Sequence, residues 1–312
     1  MKITNYILLF FLLVFIVPTI YGADINTHAE KKTIQIAIYN GAGSIENCVI
    51  RVESTIQTYN ANHLETQINV KRVDHINTAD DLSGVDVLLM PGGTHGYLYL
   101  DNTDGDIVRE FVRSGHGYIG ICAGAYAGAK EVDDNYNGYG VAPHINCIPV
   151  YHEGLTNINI SSEGSNILGI PAGEYTVDHE NGPAMYSNSY GATSLATYDG
   201  IDEVGHSGRM SIVLDTYGTG KTILFGPHPE ADNPRYPDML GNAIKYVRGS
   251  EISSSIHNPK IINSTYLNNG VNNSVNNSVK NSVPLHKTSF ELSILLSAFL
   301  GIGSLIVYRI KK

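Results

Sequence analysis

Between residues 31 and 249 short apolar runs alternate with longer amphipathic ones, a rhythm that predicts strands separated by helices. Residues 33–39 (TIQIAIY), 68–73, 85–90 (VDVLLM) and 117–121 read as strands, and 44–60 and 104–113 as helices. Strands spaced by helix-length segments imply an α/β architecture, a parallel sheet covered on both faces. The later portion changes character. Residues 211–214 and 222–225 flank a Gly-containing turn at 215–220, which predicts an antiparallel hairpin, and 237–247 reads as a closing helix.

Both ends depart from this rhythm. Lys2 precedes an unbroken apolar run over 7–17, followed by Pro18, Gly22 and Ala23, the pattern of a secretory signal over residues 1–22. An uncleaved anchor is the alternative. Residues 292–308 are apolar or small, and Arg309, Lys311 and Lys312 follow at once. About 17 to 19 residues at ~1.5 Å each just cross a ~30 Å hydrocarbon core, so a single transmembrane helix is expected over 290–308 with a basic cytoplasmic tail over 309–312. A buried core helix is the competing reading. Between the domain and this segment, residues 250–289 are rich in Asn and Ser, with near-repeats over 272–283. Such a tract buries too little apolar surface to fold and reads as a disordered stalk. The expected localisation is therefore the cell membrane, single-pass, with the domain outside the cytoplasm. Asn159, Asn263, Asn272 and Asn276 each begin an Asn-x-Ser/Thr sequon and are glycosylation candidates.

Charge narrows the partners. The formal net charge is -10, with no Lys/Arg cluster outside the extreme C-terminus, which argues against nucleic acid. The membrane is the partner implied by the C-terminal helix. No metal or cofactor is called for.

Three motifs carry candidate chemistry. Gly120-Ile121-Cys122-Ala123-Gly124 stands where a buried strand gives way to a Gly/Ala-rich helix. A nucleophile elbow needs such small neighbours, and a helix N-terminus favours a thiolate. A small buried cysteine in a packing contact is the bland reading of Cys122. Downstream, Gly226-Pro227-His228-Pro229-Glu230 puts a histidine after a strand with a carboxylate two residues on, the order in which a base and its orienting group are arranged. Pro91-Gly92-Gly93 ends a third strand, where a turning backbone can aim an N–H into a cleft. Alone, it is an ordinary turn.

Together, the Pro-Gly-Gly turn, the elbow cysteine and the His-Pro-Glu run resemble the class I glutamine amidotransferase family. Residues 117–126 (GYIGICAGAY) carry the strongest match, and the likeness extends over roughly 33–247, nearest to the amidotransferase-like N-terminal domain found on some biotin-protein ligases and in stand-alone prokaryotic proteins. The resemblance implies a flavodoxin-like three-layer sandwich with a mostly parallel sheet. It makes Cys122 the nucleophile, His228 the base, Glu230 its orienter, and the N–H groups of Gly93 and Ala123 an oxyanion hole. Asn40 and Gly41, after the first strand, would face the same cleft. The Gly-Arg-Gly-Arg signature of the biotin-ligase catalytic portion is missing, so biotinylation is not implied.

Two functions stand against each other: a thiol hydrolase acting on an amide or γ-glutamyl-type bond of a small-molecule or peptide substrate, and a catalytically silent binding module using the same cleft. The count of three cysteines adds one question. If Cys122 stays free, Cys48 and Cys147 are the only pair left to form a disulfide.

Overall fold

A computed structural model describes residues 32–133, 135–199 and 207–248, which fall within one unit. The signal, stalk and transmembrane expectations, with Asn263, Asn272 and Asn276, lie outside the described residues. Among those residues no helix is long and apolar enough to cross a membrane.

The first half follows the apolar rhythm closely. Strand β1 (Lys32–Tyr39) leads to helix α1 (Glu46–Asn62), then β2 (Thr66–Val73), β3 (Val87–Met90), helices α2 (Gly96–Asn102) and α3 (Gly105–Arg113), and β4 (Gly117–Ile121). Helix α4 (Ala123–Gly128) follows the elbow directly. Strands β1, β2, β3 and β4 pair in parallel, and β4 pairs in parallel with the late strand β13 (Gly220–Phe225). Two-residue periodicity sets the faces. Ile34, Ile36 and Ile38 join α1 and the closing helix α6 (Pro237–Val247) in one core cluster, whereas Ala37 and Tyr39 join α3 and α4 in the other. A central sheet covered by helices on both faces is the three-layer arrangement the pattern called for.

The second half corrects one expectation. Residues 129–217 contribute β5 (Ala129–Val132), β6 (Tyr136–Asn137), β7 (Ala142–Ile148), β8 (Glu153–Ile160), helix α5 (Ser162–Leu168), β9 (Gly173–Glu180), β10 (Ala184–Tyr186), β11 (Thr193–Asp199) and β12 (Met210–Tyr217). The main path runs β2-β1-β3-β4-β13-β12-β10-β7-β5-β6, with β11, β8 and β9 branching from β12. Beyond β13 most pairings are antiparallel, so the sheet is mixed rather than mostly parallel. The reason lies in the connections: among the described residues α5, between β8 and β9, is the one helix that separates these strands, and strands joined by short connections pair antiparallel, β5 with β7 being the parallel exception.

Parallel order brings the carboxyl ends of β1, β3, β4 and β13 to one edge, the position where open α/β sheets place their sites. All three chemistry-bearing motifs begin at those ends.

Candidate active site

Cys122 is held in a conformation that an L residue rarely adopts, φ 51° and ψ -106°. Such a backbone costs about 1–3 kcal/mol and persists only where its surroundings enforce it. Here they do. The Cys122 N–H donates to the Phe225 carbonyl at 2.9 Å, the Gly124 N–H to the Pro91 carbonyl at 3.2 Å, and the Tyr118 hydroxyl to the Gly124 carbonyl at 2.8 Å. A side chain at Gly124 would collide with the Met90 carbonyl, so the elbow packs against the end of β3 only because the position has none.

His228 follows β13 and is clamped by an antiparallel bridge to β9, its N–H donating to the Asp178 carbonyl at 2.9 Å. Its ring lies 1 % exposed, with Nδ1 2.8 Å from Oε1 of the fully buried Glu230. Burial pulls this imidazole toward its neutral form, but the Glu230 charge, its hydrogen bond and the Cys122 thiol together raise it well above the ordinary 6.5. The pair is thus an oriented, charge-stabilised imidazole of the kind a base needs. At the far side, Nε2 has no hydrogen-bond partner, nor has the second oxygen of Glu230.

The thiol does not complete the row. Although Cys122 is close enough to stabilise the imidazolium, its Sγ points to the Glu180 carbonyl, to which the thiol donates at 3.3 Å. Catalytic hydrogen bonds in unliganded sites are often long or misaligned and tighten on substrate binding.

Cys122 and His228 open onto a cavity of about 800 Å³. Gly93 and Ala123 also line it. Ala123 is the first residue of α4, where an N–H has no intrahelical acceptor. The carbonyl of Gly92 faces the Tyr99 hydroxyl, 3.2 Å away, and the Ile45 N–H, and a planar trans peptide then turns the Gly93 N–H to the opposite side. Asn40 and Gly41, expected on the cleft, are not among its lining residues. The Asn40 side chain instead donates to Glu46 at the start of α1, and Gly41 packs against the Asp74 carbonyl, because this turn must bring α1 back onto the sheet.

Thr94, Tyr97, Asn135 and Tyr136 also line the cavity. Tyr126 and Tyr151 add to the aromatic lining, Glu153 and Glu180 supply carboxylates, and among the described residues no lysine or arginine lines the space.

Sequence reasoning missed Cys48. It stands in the first turn of α1, 3 % exposed, lining the cavity beside His228. The signal was available: the helix after the first strand of a parallel sheet starts at the site edge. The Cys48–Cys147 disulfide left open by the cysteine count is not formed, and all three cysteines are free thiols. Cys48 belongs to the cavity, while Cys147 sits on β7 within the core cluster around α3 and α4, its Sγ 4.0 Å from the Ala125 carbonyl. Asn159 is exposed on β8.

Comparison with known proteins bears on the same region. Residues 34–140 match the family model described as Biotin-protein ligase, N terminal. A curated relative, the imidazole glycerol phosphate synthase subunit HisH of Helicobacter hepaticus (strain ATCC 51449 / 3B1), is 31% identical over 137 residues, which is 40% of this chain and 60% of that one. Among solved structures, a glutamine amidotransferase is 19% identical with a TM-score of 0.49, covering 68% of this chain and 98% of that one. A Thermoplasma acidophilum protein assigned to GMP synthase is 18% identical with a TM-score of 0.45, over 69% and 94% of the two chains.

Proposed function

Because the chain belongs to the class I glutamine amidotransferase-like superfamily, we propose that it is a surface-anchored thiol hydrolase cleaving an amide or γ-glutamyl-type bond through a thioester on Cys122. One observation carries the reading: a buried imidazole oriented by a buried carboxylate at 2.8 Å, its far nitrogen unpartnered, lines one cavity with a cysteine on a strained elbow.

In the reaction, the Cys122 thiol gives its proton to His228, Sγ attacks the carbonyl carbon, and the resulting oxyanion is received by the N–H groups of Ala123 and Gly93. His228 then gives a proton to the leaving amine, and the thioester remains on Cys122. Water, deprotonated by His228, hydrolyses that thioester and restores the thiol. The tyrosines of the wall and its carboxylates, Glu153 and the Arg51-paired Glu180, suit a neutral or cationic group on the substrate.

The test is covalent capture. A γ-glutamyl chloromethyl ketone should add one label per chain at Cys122, none in Cys122→Ser, and should add it at least about 100-fold more slowly in His228→Ala, the lower end of what one acid-base group contributes. The binding-module reading draws on a separate observation, the thiol held by the Glu180 carbonyl rather than the imidazole. It becomes the better account if Cys122 resists the reagent in the folded protein.

Surface anchoring rests on the signal-like start, the Asn/Ser-rich stretch and the apolar, base-terminated end. Protease added to intact cells should cut within 250–289 and release the domain. Protection until lysis would refute that topology.

A further inference from the structure

Cys48 plays no part in the thiol chemistry proposed above, yet it is buried against the residues that do. Its Sγ, one ring nitrogen of His228 and one carboxylate oxygen of Glu230 lie within 4.8 Å of one another, and all three residues are buried. A side chain at Gly92 would strike the His228 ring and press on Cys48 Sγ, so the bare glycine lets thiol and imidazole approach. Two buried polar atoms of this cluster, Nε2 of His228 and Oε2 of Glu230, have no hydrogen-bond partner.

We propose that Cys48, His228 and Glu230 form a zinc site whose occupation switches the thiol chemistry off. Sulfur, imidazole nitrogen and carboxylate oxygen are the three donor types zinc takes, at about 2.0–2.3 Å each. A tetrahedral ion at those lengths sets its donors roughly 3.3–3.8 Å apart, so the cluster needs to contract by only about 1 Å. The fourth position then remains open. Charge also balances: a thiolate, a carboxylate and a neutral imidazole offset the dication, leaving no net charge in a buried place. Binding releases the Cys48 thiol proton, and a proton from His228 wherever the ring carries one.

Inhibition follows from either mode of coordination. Through Nδ1, the metal replaces the Glu230 hydrogen bond and removes the orienter. Through Nε2, it takes the nitrogen that must exchange a proton with Cys122. The metal site stands on geometry alone, and only the switching rests on the hydrolase reading.

Cobalt(II) titration of the metal-free full-length chain separates the two. A thiolate-to-cobalt charge-transfer band should rise to one equivalent and be displaced by zinc. Cys48→Ser should abolish the band and weaken zinc binding by about 100-fold or more, as expected on loss of one of three ligands. Cys122→Ser should keep the band. Zinc should also slow alkylation of Cys122 in the unmodified chain and not in Cys48→Ser. Absence of the band in the unmodified chain overturns the proposal, as does a band retained in Cys48→Ser and lost in Cys122→Ser. Neither result depends on turnover. Failure of the hydrolase reading appears separately, as a Cys122 that is unreactive in the metal-free chain.

Discussion

Iodoacetamide at pH 6 to 7 should consume Cys122 first, and His228→Ala should slow that reaction by roughly 10- to 100-fold, the range that a neighbouring imidazolium contributes to thiol activation. The other two thiols are poor competitors. Burial, with the Glu230 charge adding to it, pushes Cys48 up to about 11, and burial raises Cys147 as well. A thiol with a pKa near 11 is a thiolate in only about one molecule in 10,000 at pH 7. His228 is raised too, with the opposite consequence, because a raised pKa keeps an imidazole charged. Its pKa is raised well above 6.5 despite burial, because Glu230 and Cys122 stabilise the charged ring, so at pH 6 to 7 it supplies positive charge beside the reacting sulfur. Glu230→Gln keeps an acceptor for Nδ1 but removes the charge, and should slow the reaction less, in the same direction. Mass spectrometry of each cysteine-containing peptide against time is the measurement. Equal rates at all three cysteines, indifferent to His228→Ala, would sink the catalytic account.

Acid should destabilise the domain through His179 by roughly 3 kcal/mol between pH 6.5 and pH 4, a range given by the pKa difference at ~1.4 kcal/mol per unit. This side chain lies on β9, one residue from Glu180, and is fully buried. Its Nδ1–H donates to the His152 carbonyl at 2.9 Å, Nε2 has no partner, and the ring meets Tyr198 edge-on at 5.6 Å. Burial first, then the proximity of His152 and His228, lowers its pKa from 6.5 to about 4. The sign follows from proton counting. Between those two values the unfolded chain binds a proton that the folded chain refuses, so stability is full above pH 6.5 and lost as pH falls toward 4. Denaturant unfolding at a series of pH values should show this slope, and His179→Gln should flatten it. An unchanged slope in that variant would assign the acid sensitivity to other groups. Because β9 also supplies the Glu180 carbonyl and the bridge to His228, the same acid step should loosen the clamp on the candidate base.

Much of this molecule was legible in the order of its residues. The strands β1, β2, β3 and β4 and the helices α1, α3 and α6 announced themselves because each buries one face or both, and burial imposes a period on the sequence. The hairpin of β12 and β13 was equally plain from its turn. Residues 120–124 and 226–230 were singled out because an elbow tolerates only small neighbours and a base needs an orienting group nearby, and both demands are local. The structure places Cys122 and His228 at the edge of one sheet, as parallel strand order requires.

What lay beyond local pattern was decided by partners distant in the chain. The strands from β5 to β11 vary widely in length and are irregularly spaced, and their pairing depends on neighbours up to tens of residues away, so their alternation alone set no order. The direction of the Cys122 thiol was settled by a carbonyl 58 residues downstream, on β9. Asn40 was drawn off the cleft by Glu46. Cys48 reached His228, 180 positions later, because α1 begins at the same sheet edge at which β13 ends. A sequence declares which residues are small, charged or nucleophilic, and on which face of an element they fall. Which of them touch is set by the packing of elements against one another, and that is a property of the folded sheet alone.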